Sequence, residues 1–187
     1  VARATPIIQE MTANDKVEMD AIDRKIINLL LEDARIPASE IARRIGKGVS
    51  ERVVRYRIQR LIQEGVIQLT AVVRPQALGY HIFADVWLEV DSDHILEVAN
   101  TLAKYPNVTY VASAIGEADV SIQVVARSTD EVYRFVTEVV RRIPGVRKTT
   151  TSIVPLILKD IYQWRVPEDA LDKTEKREAS KSLRGVS

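Results

Sequence analysis

Between Met19 and Gly65 the chain reads MDAIDRKIINLLLEDARIPASEIARRIGKGVSERVVRYRIQRLIQEG, three amphipathic helical patterns separated by short breaks. After Asp20, a predicted N-cap, Ile22, Ile26, Leu29 and Leu30 recur at helical spacing. Ala34–Pro37 interrupts the pattern, and Pro37 suits the first turn of a second helix. Ile41, Ala42 and Ile45 form the buried stripe of that helix, which Gly46 ends. Ser50 is a predicted cap for the third helix, and Gly65 closes it. At about 100° per residue, Val54, Ile58 and Leu61 fall on one side of the third helix. Arg52, Tyr56 and Gln59 lie opposite, flanked by Arg55 and Arg60. Arg57 falls beside the apolar stripe, where it is placed to pair with an acid of the first helix, Asp20 or Asp23. Short helices joined by a glycine turn, the last with a basic outward face, constrain this stretch to a helix-turn-helix layout with double-stranded DNA as expected partner. A solvated helix with ordinary charges is the plainer reading of the third helix taken alone.

The rest of the composition narrows the alternatives. The chain has 187 residues, 46% of them hydrophobic, enough for two small domains. It has no cysteine, so disulfides, cysteine zinc sites and a cysteine nucleophile are excluded. No apolar run has the length of a membrane span and no secretory signal is visible, so the expected location is cytoplasmic, with no membrane partner. Residues 19–65 hold ten Lys/Arg and seven Asp/Glu, whereas residues 80–165 hold nine and eleven. The excess of +3 in the first segment against −2 in the second assigns phosphate contact to the first.

Beyond Gly65, Val66–Val73 reads as a strand, a place for a wing or connector, ended by Arg74-Pro75. From Tyr80 the order becomes βαββαβ. Phe83–Val90 alternates with Ala84, Val86, Leu88 and Val90 on one face. A helix is expected over 92–104, then strands Val108–Ile115 and Asp119–Ala126 around Gly116-Glu117. Ser128 and Glu131 form a capping box for a helix with core stripe Val132, Phe135, Val136, Val139 and Ile143. Pro144-Gly145 stops it, and a strand Arg147–Lys159 closes the unit, Pro155 marking it as an edge or bulged strand. This order predicts an α+β fold in which helices cover one face of an antiparallel ferredoxin-like sheet. The other face would carry Phe83 and Trp87, with Thr109, Val111 and Ile115 or their neighbours. Two large aromatics there favour burial against a second copy of the sheet over a partly wet face.

The expected organisation is therefore an arm at 1–18, a helix-turn-helix domain at 19–66, a connecting strand or linker at 67–79, a ferredoxin-like domain at 80–165 and a disordered tail at 166–187.

In this order the parts resemble the Lrp/AsnC family of leucine-responsive, or feast-famine, transcriptional regulators. The resemblance rests on Met19-Asp20-Ala21-Ile22-Asp23 with Asp33-Ala34-Arg35, on Glu40 to Gly46, and on Arg57 to Ile67. In the second part it rests on Gly116-Glu117-Ala118-Asp119, on Pro144-Gly145-Val146 and on Thr149-Thr150-Thr151. It covers residues 19 to about 165. The lead into the third helix, Gly46-Lys47-Gly48-Val49-Ser50, is two residues longer than the family commonly has, and Pro37 stands where a serine cap is usual.

The resemblance implies an N-terminal winged helix-turn-helix, a C-terminal effector-sensing domain, dimers formed through the sheets at Phe83 and Trp87, and assembly into octamers or other sets of dimers. It implies that an amino acid or similar small effector binds near Gly116, Glu117, Ala118 and Asp119, with Thr149, Thr150 and Thr151. Asp119 can pair an α-ammonium, and N–H groups of the glycine turn can hold an α-carboxylate. On the DNA side, Arg52, Arg55, Tyr56, Gln59 and Arg60 are the expected base-facing set, Arg43, Arg44 and Lys47 the phosphate set, and Ser50 a cap that can donate to phosphate. No cofactor, metal or catalytic residue is expected. Two rivals are weighed. One is an architectural DNA-coating protein with weak specificity. The other is an enzyme like the sirohaem decarboxylases, for which this chain offers only His81 and His94, and no paired carboxylates, metal-ligand cluster or phosphate loop.

Overall fold

The computed structural model describes residues 17–46 and 48–167. They divide into two compact units, one ending at Ala71 and resumed at Asp160, the other running Val72–Lys159. No described helix is long and apolar enough to cross a membrane.

The first unit is helical. Helix α1 spans Ala21–Glu32, α2 Ala38–Ile45 and α3 Glu51–Gln63. Asp20 caps α1 by accepting from the N–H groups of Ile22 and Asp23, both at 2.9 Å. Asp23 returns the bond, accepting from Asp20 N–H at 3.2 Å and completing a capping box. Pro37 sits at the N-cap of α2, not in its first turn, and leaves that helix without a side-chain cap. Gly46 ends α2 at φ +104°, a conformation that disfavours any residue with a Cβ. The Ser50 hydroxyl caps α3 by accepting from Val53 N–H at 3.3 Å. Ile26, Leu30, Ile41 and Val54 form the core of the three-helix unit, with Ile58 packed at its edge.

A second cluster joins Ile27 and Leu61 to Val166. The chain thus comes back after the second unit. A 3-10 turn at Ile161–Gln163 is followed by Arg165, whose guanidinium donates to Glu32 at 3.3 Å, and by Val166, buried against α1 and α3. In packing terms the second compact unit ends at Lys159 and 160–167 packs with the helices, whereas the sequence expectation carried the second domain to residue 165. The expected arm and tail lie outside the described residues except for 17–18 and 166–167.

The predicted strand Val66–Val73 does not form. After Val66 the backbone has no regular structure until a 3-10 turn at Pro75–Leu78.

In the second unit, β1 spans Ile82–Val90, α4 Ile95–Leu102, β2 Val108–Ser113, β3 Val120–Ala126 and β4 Val146–Val154. Their order across the sheet is β2-β3-β1-β4, and every neighbouring pair is antiparallel. Ala84, Val86, Leu88 and Val90 face the helices and are buried, as the alternation requires. Across from them on β3, Val120, Ile122 and Val124 complete that face. The closing helix, α5, begins at Thr129–Arg134, loosens into a π-turn at Phe135–Val139 and tightens to 3-10 at Val140–Arg142. The inserted π residue shifts the phase, so Val140 fills the core where Val139 was expected. Its cap uses Ser128 Oγ for Glu131 N–H, while the Glu131 carboxylate reaches Arg127 N–H, one residue before the expected partner.

Strand ends also differ, β1 and β4 each beginning one residue earlier than expected, at Ile82 and Val146. Strand β2 stops at Ser113, β3 starts at Val120, and β4 stops at Val154, because Pro155 has no N–H to donate. Helix α4 is shorter than expected, with His94 as its N-cap.

Candidate nucleic-acid interface and effector site

Helix α3 is held against α1 by two arginines on one buried carboxylate. Asp23 is 1% exposed and accepts from Arg57 Nη1 at 2.9 Å and Arg60 Nη2 at 2.6 Å. Arg57 Nη1 also reaches both oxygens of Asp20 at 2.7 Å. The expected pairing of Arg57 is observed. The placement of Arg60 on the DNA face is corrected: its guanidinium is committed to Asp23, with Glu64 at 3.6 Å. Burial alone would raise the Asp20 carboxyl, but hydrogen bonds from Arg57 and from the helix N–H groups outweigh it and lower its pKa.

The outward face of α3 carries Arg52, Arg55, Tyr56 and Gln59, all exposed. The side chains of Arg52, Tyr56 and Gln59 have no hydrogen-bond or ion-pair partner among the described residues, and Tyr56 is 68% exposed. Arg55 donates through Nε and Nη2 to Glu51 Oε1 at 2.9 and 2.5 Å. On α2, Arg43 makes a two-pronged contact with Glu40 at 2.7 and 2.6 Å, and Arg44 Nε donates to the same carboxylate at 2.9 Å. The hydrogen bond from Arg43, then that from Arg44, lowers the Glu40 carboxyl to about 2. Lys47 lies outside the described residues. Glu40 and Glu51 were missed as members of this surface. Their signal was the acid placed three or four residues before each arginine.

The glycine turn of the second unit is exposed at Gly116 and Glu117. Gly116 has φ +144°. Asp119 is half-buried and tied into the sheet. Its Oδ2 accepts from Val90 N–H at 2.7 Å, its N–H donates to Leu88 at 2.9 Å and its carbonyl accepts from Ala114 N–H at 2.9 Å. Arg147 brings its guanidinium to 3.9 Å from Asp119 Oδ2 and 3.5 Å from Asp91. One oxygen of Asp119 is thus occupied by the end of β1, a contact that the sequence did not announce. Lys148 sits on Glu89 at 2.8 Å, and that contact, with a smaller pull from Glu117, raises the Lys148 pKa. The threonine triplet divides between faces. Thr149 and Thr151 pair with Leu88 and Val86, whereas Thr150 pairs with Trp87. Arg147 is the residue of this region that the sequence reading missed. Only its place beside Asp119 in the folded sheet singles it out.

On the outer sheet face, Trp87 is 39% exposed and Phe83 half-buried, with Tyr110 exposed opposite Gln123. Val111 is not there. It pairs with Ile122 and packs on the helix side, because the strand is irregular between Val108 and Tyr110. Ile115 lies past the strand end, fully exposed. His81 is exposed before β1, and His94 contacts Asp93 at 2.9 Å. Among the described residues no group of three or more His, Asp or Glu is placed to hold a metal.

Comparison with known proteins gives two family matches in chain order. Residues 19–62 match the AsnC-type helix-turn-helix domain, and residues 83–163 match the Lrp/AsnC ligand binding domain. An uncharacterised HTH-type transcriptional regulator of Pyrococcus abyssi is 41% identical over 145 residues, 77% of this chain and 90% of that one. The HTH-type transcriptional regulator FL11 of Pyrococcus furiosus is 37% identical over 149 residues, 79% and 97% of the two chains. Among solved structures, AsnC of Escherichia coli superposes with TM-score 0.71 at 25% identity, covering 78% of this chain and 99% of that one. A transcriptional regulator of Neisseria meningitidis, solved as a complex with L-methionine, shares the fold at TM-score 0.69 and 22% identity, covering 84% and 99%. With its helical first unit, its antiparallel second unit and these matches to both, the chain belongs to the Lrp/AsnC family of transcriptional regulators, with a DNA-binding helix-turn-helix and a ligand-binding domain.

Proposed function

We propose that this regulator binds DNA sequence-specifically through the outward face of α3, and that a small effector, an amino acid by class, modulates that binding from the second unit. The observation that carries the reading is the exposed set Arg52, Tyr56 and Gln59, three hydrogen-bonding side chains without partners among the described residues, on the helix that follows the turn. A guanidinium offers guanine two donors, and a glutamine amide matches adenine. Arg43 and Arg44 of α2 supply phosphate contacts that fix register, with Lys47 and Ser50 at the turn. Two copies pair through the outer sheet face at Phe83 and Trp87, so that two α3 helices address an inverted repeat. Further association of dimers builds the larger assembly.

For the effector, the support is the ligand-binding domain match and the L-methionine held by the Neisseria relative. In this reading Arg147 takes the α-carboxylate, and Asp119 Oδ1, which has no partner among the described residues, accepts from the α-ammonium; the support is their proximity at the end of β1.

The test begins with a duplex selected from a random library. Gln59→Ala and Arg52→Ala should each weaken the selected duplex by roughly 1–3 kcal/mol and relax base preference. Arg43→Ala should weaken selected and unselected duplexes alike and make the salt dependence shallower by about one unit of slope. Unchanged affinity and preference in the first two variants would remove α3 from the interface. For the effector, amino acids are titrated calorimetrically into the wild type and Asp119→Asn, which keeps an acceptor for Val90 N–H. Equal affinities in the two proteins would remove Asp119 from the site.

A further inference from the structure

Of the arginines assigned to DNA, Arg43, Arg44 and Arg55 are each held by a glutamate one turn earlier in the same helix, and only Arg52 stands alone among the described residues. The Glu51–Arg55 pair differs from the Glu40 pairs in its geometry. Arg55 uses one edge of its guanidinium, Nε and Nη2, and both donate to a single oxygen, Glu51 Oε1. The other edge, Nη1 with the outer hydrogen of Nη2, has no partner among the described residues, and it is an edge that can take guanine O6 and N7 together. Glu51 is the first residue of α3, on the turn nearest the groove in a helix-turn-helix complex. A carboxylate there repels phosphate, so it acts against any loose docking in which Arg55 folds onto the backbone.

We propose that Glu51 is a specificity-determining positioning residue: it holds Arg55 end-on for a base and disfavours its use as a phosphate clamp. A helix-terminal acid serving only the macrodipole would stabilise α3 to the same degree on every duplex and in the absence of DNA. The proposal therefore predicts a change in discrimination, which that simpler role does not. It rests on the DNA-binding reading above.

The experiment compares wild type, Glu51→Gln, Arg55→Ala and the double variant, on a duplex selected from a random library and on an unselected duplex of equal length, at several salt concentrations. Circular dichroism verifies that each variant is folded. In Glu51→Gln, binding to the unselected duplex should tighten and binding to the selected one weaken, so that the ratio of affinities falls by roughly tenfold, about the discrimination carried by one base contact. In the Arg55→Ala background the same substitution should change that ratio by less than about twofold, because the residue it positions is gone. A ratio preserved within about twofold in Glu51→Gln overturns the proposal. So does an equal fall with and without Arg55, which would make Glu51 a charge acting by itself. A wild type that selects no sequence from the library overturns the DNA-binding reading and this inference with it, and that arm is read before any variant.

Discussion

Asp23 is the residue whose replacement tests the helix-turn-helix unit most directly. In Asp23→Asn the side-chain shape is kept, but the amide NH₂ takes the place of the oxygen that accepts from Arg60 Nη2 at 2.6 Å and from Asp20 N–H at 3.2 Å. Donor then faces donor, and the 2.9 Å bond from Arg57 loses its ionic partner. Breaking a fully buried pair costs about 3–5 kcal/mol. Here Asp23 is 1% exposed, but Arg57 and Arg60 are 21% and 31% exposed and can recover some hydration. The expected loss is therefore about 2–4 kcal/mol, a factor of roughly thirty to a thousand in the folded population. The assay is urea unfolding in a Trp87→Phe background, which leaves Trp164 of the first unit as the single tryptophan, with hydrogen exchange of α1 and α3 as a second readout. Arg60→Ala should destabilise the same transition and lower affinity for every duplex to the same degree. A change under about 1 kcal/mol in Asp23→Asn would refute the buried clamp. Loss of specific binding in Arg60→Ala at full stability would return Arg60 to the DNA face.

Three further outcomes follow from the geometry. The carboxyls of Asp20 and Glu40 are lowered from ordinary values of 3.8 and 4.5, Glu40 to about 2, so their contribution is complete above pH 5 and lost as pH falls toward 2. A stability profile of the first unit should be flat from pH 7 to 5 and decline below. An Asp20→Asn/Glu40→Gln variant with an unchanged acid limb would contradict this. Trp87→Asp places a charge between Thr150 and Ser121, its cross-strand neighbours, and sedimentation should show smaller species with the fold retained by circular dichroism. A folded, undiminished oligomer would locate the interface elsewhere. Gly145→Ala forces a Cβ to within 2.5 Å of the His94 Cβ at φ +87°, so the second unit should lose about 2–4 kcal/mol by thermal unfolding, and a shift of a degree or less would refute the tight approach.

Much of the architecture was legible because its signals are local. The alternation of Ala84, Val86, Leu88 and Val90 needs only a period of two, and Ser50 and Ser128 announce their helices by position. Arg57 could be assigned to Asp20 and Asp23 because its angle on α3 contradicted a solvent role. What failed depends on neighbours distant in sequence. Val66–Val73 has the composition of a strand, but a strand exists only where another edge accepts its hydrogen bonds, and none among the described residues does. A single irregular step near Thr109 moved Val111 to the opposite face, and one π residue exchanged Val139 for Val140. Arg60 looked like its neighbours until the second oxygen of Asp23 claimed it. The exposed face of α3 was legible by angle, whereas Asp119 was singled out by its motif, which carried no information about Val90 N–H taking one of its oxygens.

The burial of Val166 against Ile27 and Leu61 makes the helical unit discontinuous along the chain. A single cut cannot release it intact. A fragment ending near residue 71 would open an apolar slot on α1 and α3 and free Glu32 from Arg165, so the excised domain is a poorer object than its three helices suggest. The same closure means that the DNA-binding unit is leashed at both ends to the ligand-binding unit, once through 67–74 and once through 155–160. A displacement of either crossing is felt inside the packed core of the helical unit rather than at a dangling end.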